Sequence, residues 1–108
     1  MTVLYVDAVQ EQVTAAEVAI YTAPTASNFE SAHIIYGNCS NAGTVDTELT
    51  VNLVQSVDSA SVTNRYFLPS VIFAGRGNPL TPLVGAKLSA GDSIVSIGSL
   101  ASNLNLKL

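Results

Sequence analysis

Residues 47–57 read TELTVNLVQSV, and they decide the fold. Leu49, Val51 and Leu53 fall on one side of an extended chain, with Gln55 in line. Thr50, Asn52 and Val54 fall on the other. That is the two-residue period of a strand, and no 3.6-residue period fits it.

Working outward, the same alternation recurs in short runs. EVAIYTAP sets Val18, Ile20 and Thr22 against Ala19 and Tyr21 and stops at Pro24, which cannot donate to a ladder. SAHIIYGNCS reads as one strand from His33 to Cys39, with Ile34 and Tyr36 on one face and Ile35 on the other. NRYFLPSVIFAG gives two runs parted by Pro69. TPLVG and AKLSA are short runs, DSIVSIGS follows, and NLNLKL places Leu104, Leu106 and Leu108 on one face.

Turn signals fall between these runs at Pro24–Asn28, Asn38–Gly43, Asp58–Ser61, Gly75–Pro79 and Ala90–Asp92. A spacing of roughly 8–12 residues between turns belongs to all-β sandwiches and barrels. The expectation is an antiparallel β-sandwich, jelly-roll-like, of about eight short strands. Residues 1–17 form an N-terminal arm or first strand, and 18–108 the sandwich domain. Within DAVQEQVTAAE, Val9 and Val13 are four apart behind Asp7, which predicts at most a short helical turn.

The bulk composition narrows the function. The chain has 108 residues, one domain's worth, with 48% hydrophobic and only 11% charged residues. Usual chains carry about 25% charge, so a surface this poor in charge suits a subunit that covers part of its exterior with neighbours. No run reaches the roughly 18 apolar residues of a spanning helix. The net charge is −4, and Arg65, Arg76, Lys87 and Lys107 are scattered, so no phosphate-tracking stripe forms and nucleic acid is not an expected partner. A membrane partner is not expected either. MTVLYVDAVQEQ has no basic region before an apolar one, so no signal peptide is expected and synthesis is placed in the cytoplasm.

Chemistry finds little to work with. His33 is the one histidine and Cys39 the one cysteine. On a single strand six residues apart they would stand about 20 Å from each other, beyond the reach of a nucleophile–base pair. The single cysteine allows neither an internal disulfide nor a cysteine-based zinc site. The carboxylates come singly, and Asp46 with Glu48 reads as a solvated strand start. LSAGDSI, residues 88–94, reads as a strand–turn–strand hinge. Gly91 takes positive φ freely, Asp92 caps the turn, and no helix follows to make a phosphate loop. The chain is expected to be no enzyme, with no catalytic residue, cofactor, metal or small-molecule substrate.

Contact residues are expected instead. Val3, Leu4, Tyr5 and Val6 make an apolar N-terminal stretch suited to adding a strand to a neighbour or swapping with it, against the plainer reading of a first strand in its own sandwich. Tyr66 and Phe67 face opposite ways, which puts one at an interface, here assigned to Tyr66. The AGRGNP loop offers Arg76 to a partner carboxylate, with Asn78 beside it. A carbohydrate-binding module is the reading from a different class, with Tyr66 or Phe67 as its sugar platform.

Several of these motifs occur together in a recognisable order: Tyr21, Thr22 and Pro24; Asn38 and Ser40; Leu68 and Pro69; then Leu88, Ala90, Gly91, Asp92 and Ile94. Over residues 18–108 this order resembles small β-sandwich virion proteins of tailed bacteriophages. It departs from their pattern at Thr25–Asn28, where a tight Ala-Gly-Thr turn is common. The resemblance implies a virion structural protein, foremost a capsid decoration (cement) subunit on the outer shell. Its partners would be itself, as a dimer or trimer, and the major capsid protein. A tail, neck or fibre component is the neighbouring reading.

Overall fold

The computed structural model describes residues 2–6, 9–56, 64–99 and 104–108. It is an all-β domain of three packed sheets, consistent with a β-sandwich. Its strands are β1 (Thr2–Val6), β2 (Gln10–Gln12), β3 (Val18–Thr22), β4 (Phe29–Ile34), β5 (Asn38–Asn41), β6 (Thr47–Val54), β7 (Arg65–Ile72), β8 (Gly77–Pro79), β9 (Lys87–Leu88), β10 (Ser93–Gly98) and β11 (Leu104–Lys107). A 3-10 turn occupies Thr81–Leu83. Several of these strands have only two to four residues, which is why eleven appear among the described residues where the sequence predicts about eight.

One sheet runs β3-β10-β6-β7 and another β2-β11-β5-β8. The third runs β1-β4-β9, and its β1–β4 pair is parallel while every other pair in the three sheets is antiparallel. The strand read from TELTVNLV is the second from the edge of its sheet, between β10 and β7. Both its faces are covered, so Thr50 and Asn52 are buried along with Leu49 and Val51. All three sheets feed one apolar cluster: Val6, Ile34 and Leu88 from the first, Leu49, Ile72 and Ile94 from the second, Cys39, Leu104 and Leu106 from the third. Burial of such side chains, worth about 1.5–3 kcal/mol each, is what holds the sheets against one another.

The helical turn predicted near Val9 and Val13 does not form among the described residues. A spacing of four is even, so the two valines share a face of a strand as well as of a helix. The edge of β11 decides between them. Val9 exchanges both backbone hydrogen bonds with Leu108, Gln10–Gln12 pair with Asn105–Lys107, and Val13 donates to the Leu104 carbonyl.

The predicted strand from His33 to Cys39 is likewise two strands. The chain leaves β4 after Ile34 and enters β5, in another sheet, at Asn38. Gly37 sits at the crossing, where an added Cβ would lie 3.0 Å from Leu80 Cβ and where its carbonyl accepts from Leu80 N–H at 2.9 Å. Ile35 and Tyr36 are therefore both exposed, not on opposite faces of a strand.

Pro69 does not divide its segment. β7 is continuous and absorbs the proline in a bulge, where Leu68 and Pro69 together oppose Thr50 of β6. The turn predicted at Asp58–Ser61 lies outside the described residues.

LSAGDSI takes the hinge form, with a difference: it joins strands of two different sheets. Gly91 has φ of 79°, and Asp92 accepts from Ser89 N–H through Oδ2 at 2.9 Å. Gly91 N–H and Asp92 C=O bond to Ala23, which ties the hinge to the end of β3.

Candidate functional site

The β1–β4 pairing builds the most distinctive surface. β1 lies in register with β4 from Val3, opposite Ser31, to Val6, opposite Ile34. Alternation then sends Val6, Ala32 and Ile34 into the core. It leaves Val3 and Tyr5 outward, at 47% and 62% exposure. Ile35, just past the end of β4, and Val84, just past the 3-10 turn, are exposed beside them. Val3, Tyr5, His33, Ile35, Val84 and Gly85 line an open, mainly apolar depression of about 370 Å³.

His33 is the depression's polar member. Its ring centroid lies 6.5 Å from that of Tyr5, tilted by 56°. Its Nε2 is 2.9 Å from Ser31 Oγ. A hydroxyl beside an imidazole invites comparison with a nucleophile and its base. Ser31, however, is buried, and no carboxylate bonds the His33 ring among the described residues. The contact satisfies a buried hydroxyl.

Cys39 lies in β5, in a different sheet from His33, and is fully buried. Burial pushes its thiol from 9.0 up to about 11, so it is protonated at neutral pH and a poor nucleophile or ligand. Among the described residues no three His, Cys, Asp or Glu side chains come together as metal ligands would. Two carboxylates brace turns instead: Asp46 accepts from Ala74 N–H at 2.9 Å and Asp92 from Ser89 N–H. A second depression, lined by Gln10, Glu11, Gln12, Ser40, Asn105 and Lys107, is polar and belongs to the β2-β11-β5 surface.

The contact residues predicted from the sequence separate into groups. Val3, Leu4 and Tyr5 are exposed on β1, Leu4 at 37%. Val6 belongs to the core at 1% exposure and is not on the surface, because alternation turns it inward opposite Ile34. β1 pairs in parallel with β4 of the same chain. Arg76 is exposed and Asn78 half-buried at the β8 edge of another sheet, so they do not join the β1 surface. The loop expected around them is shorter than predicted, since Gly77–Pro79 pair with β5. The side chain of Tyr66 lies outside the described residues.

From the sequence His33 reads as a surface or interface histidine, but Ile35 and Val84 are not seen as parts of the same surface. The legible signal was Gly37, whose place after two large apolar residues marks a break in the strand and frees both from the sheet's alternation.

Against known proteins, the chain matches no family model, no curated protein and no solved structure.

Proposed function

We propose that this chain is a non-enzymatic structural subunit of a tailed-bacteriophage virion, a capsid decoration protein that sits on the outer shell and bridges neighbouring capsid proteins. The observation that carries the reading is the apolar face of Val3, Tyr5, Ile35 and Val84 on a domain with only 11% charged residues. Exposed apolar groups that cluster mark a surface meant for protein. The order of motifs from Tyr21 to Ile94 supports the virion setting.

The mechanism is burial. Each Å² of apolar area removed from water is worth about 25 cal/mol, less the cost of association. On a shell the same contact repeats, and a subunit held at two points has its second contact at high effective concentration. A tail, neck or fibre subunit would use the same surface, and one measurement separates the two. Quantitative mass spectrometry of separated heads and tails is expected to find the chain in heads, in fixed ratio to the major capsid protein, and to lose it after mild shell stripping. Its confinement to tails, or its absence from particles, overturns the decoration reading.

A further inference from the structure

Among the described residues three sheets present six edges, and five of them carry a guard against strand addition. β9 has two residues, one of them the exposed Lys87. β2 has three, with the exposed Glu11 at its centre. β8 also has three and ends in Pro79. β7 is bulged at Leu68–Pro69. β3 is bulged at Ile20, where Ile94 and Val95 pair with Tyr21 and Ala19.

Among the described residues β1 has no such guard. TVLYV contains no charge, proline or glycine, and Val3–Val6 stay in unbroken register with β4. The irregularity at its start places the extra residue, Glu30, on β4 and not on the edge. Val, Tyr, Leu and Thr are strand formers or tolerated there, and Val3, Leu4 and Tyr5 are all exposed.

We infer that β1 pairs antiparallel with β1 of a second copy of this chain, about a two-fold axis through Leu4. In that register Leu4 opposes Leu4, Val3 opposes Tyr5 and Thr2 opposes Val6. No like charges meet, because the strand has none, and aromatic–β-branched pairs of the Val3–Tyr5 kind are favourable across strands. One strand thus serves as both halves of the contact, as a two-fold interface requires. The pairing joins two three-stranded sheets into one of six strands and closes both open edges. It also sets the two apolar depressions on the same face, side by side, so the dimer offers capsid protein a doubled contact. The inference rests on the reading of the chain as a contact subunit.

The test is the mass of the full chain by light scattering, with circular dichroism as the fold control. The wild type is expected at twice 11.2 kDa and Leu4→Lys at half that mass, while Val18→Lys on the guarded β3 edge leaves the dimer intact. Leu4→Cys is expected to form a disulfide-linked dimer on mild oxidation, since directly opposed residues meet the required Cα separation and Cys39 is buried. Tyr5→Cys, opposed by Val3, does not. A wild-type monomer at the same concentration, or a dimer that survives Leu4→Lys and gives no crosslink through Leu4→Cys, overturns the inference. A dimer whose chain is missing from particles overturns the virion reading and leaves the pairing standing.

Discussion

The amide of Asn41 donates from Nδ2 to the carbonyl of Ile72, 31 residues further along the chain, across 2.9 Å. The same nitrogen donates to the Val45 carbonyl at 2.8 Å, and Oδ1 accepts from Gly43 N–H at 2.9 Å. The Asn41 backbone meanwhile bonds Arg76 and Gly75. One buried side chain therefore pins the end of β5 to the end of β7 and to the loop between β5 and β6. Asn41→Ala leaves two carbonyls without their donor and is expected to cost about 2–4 kcal/mol in urea unfolding. A loss below about 0.5 kcal/mol would mean that this junction bears little of the fold's stability.

Gly91 carries both reasons for glycine at once. Its φ of 79° disfavours any other residue, and an added Cβ would lie 2.9 Å from Ser56 Cβ. Gly91→Ala is expected to destabilise by at least about 1–2 kcal/mol, the cost of left-handed backbone with a Cβ. Gly75→Ala is the control: its φ is 72° but nothing lies within 4 Å of the added atom, so its smaller loss isolates the steric part.

Cys39 titrates near 11 in the fold because burial disfavours its thiolate. The unfolded thiol releases its proton near the ordinary value of 9.0. Between those two values the unfolded state binds fewer protons than the native one, so stability falls as pH rises. Its contribution is whole below pH 9 and lost on the way to 11. The difference in unfolding free energy between wild type and Cys39→Ala is therefore expected to shrink between pH 9 and 11, and a constant difference would contradict the shift. A thiol reagent at pH 8 is expected to label Cys39 only after denaturation.

Leu106 is fully buried in β11, in register with Cys39. Leu106→Ala is expected to cost about 2–5 kcal/mol by thermal or chemical unfolding. Lys107→Ala, on the exposed side of the same strand, separates loss of core from loss of strand.

Much of this architecture was legible because a strand's period is short and local. TELTVNLV and NLNLKL announce themselves in eight residues and six, and the Gly91–Asp92 turn shows in two. What the sequence hid was which pairs of elements meet. The even spacing of Val9 and Val13 fits helix and strand equally, and only the distant edge of β11 chooses. The run from His33 to Cys39 alternates well enough to pass for one strand, yet Gly37 allows it to cross between sheets. The candidate surface was legible only as far as β1 reaches. Tyr5 could be picked out from the apolar N-terminal stretch. Ile35 joins it through the strand break that Gly37 marks, and Val84 through the 3-10 turn, which no local pattern records.

On the proposed reading, the β1–β4 face and edge are where this chain touches other protein. Hydrogen exchange by mass spectrometry, comparing the dilute chain with the chain on purified heads, tests it most directly. Slower exchange is expected in peptides covering residues 2–6 and 33–37 on the particle, with residues 10–12 unchanged. Protection confined to residues 10–12 and 104–108, with β1 exchanging as fast on the particle as in dilute solution, would contradict it.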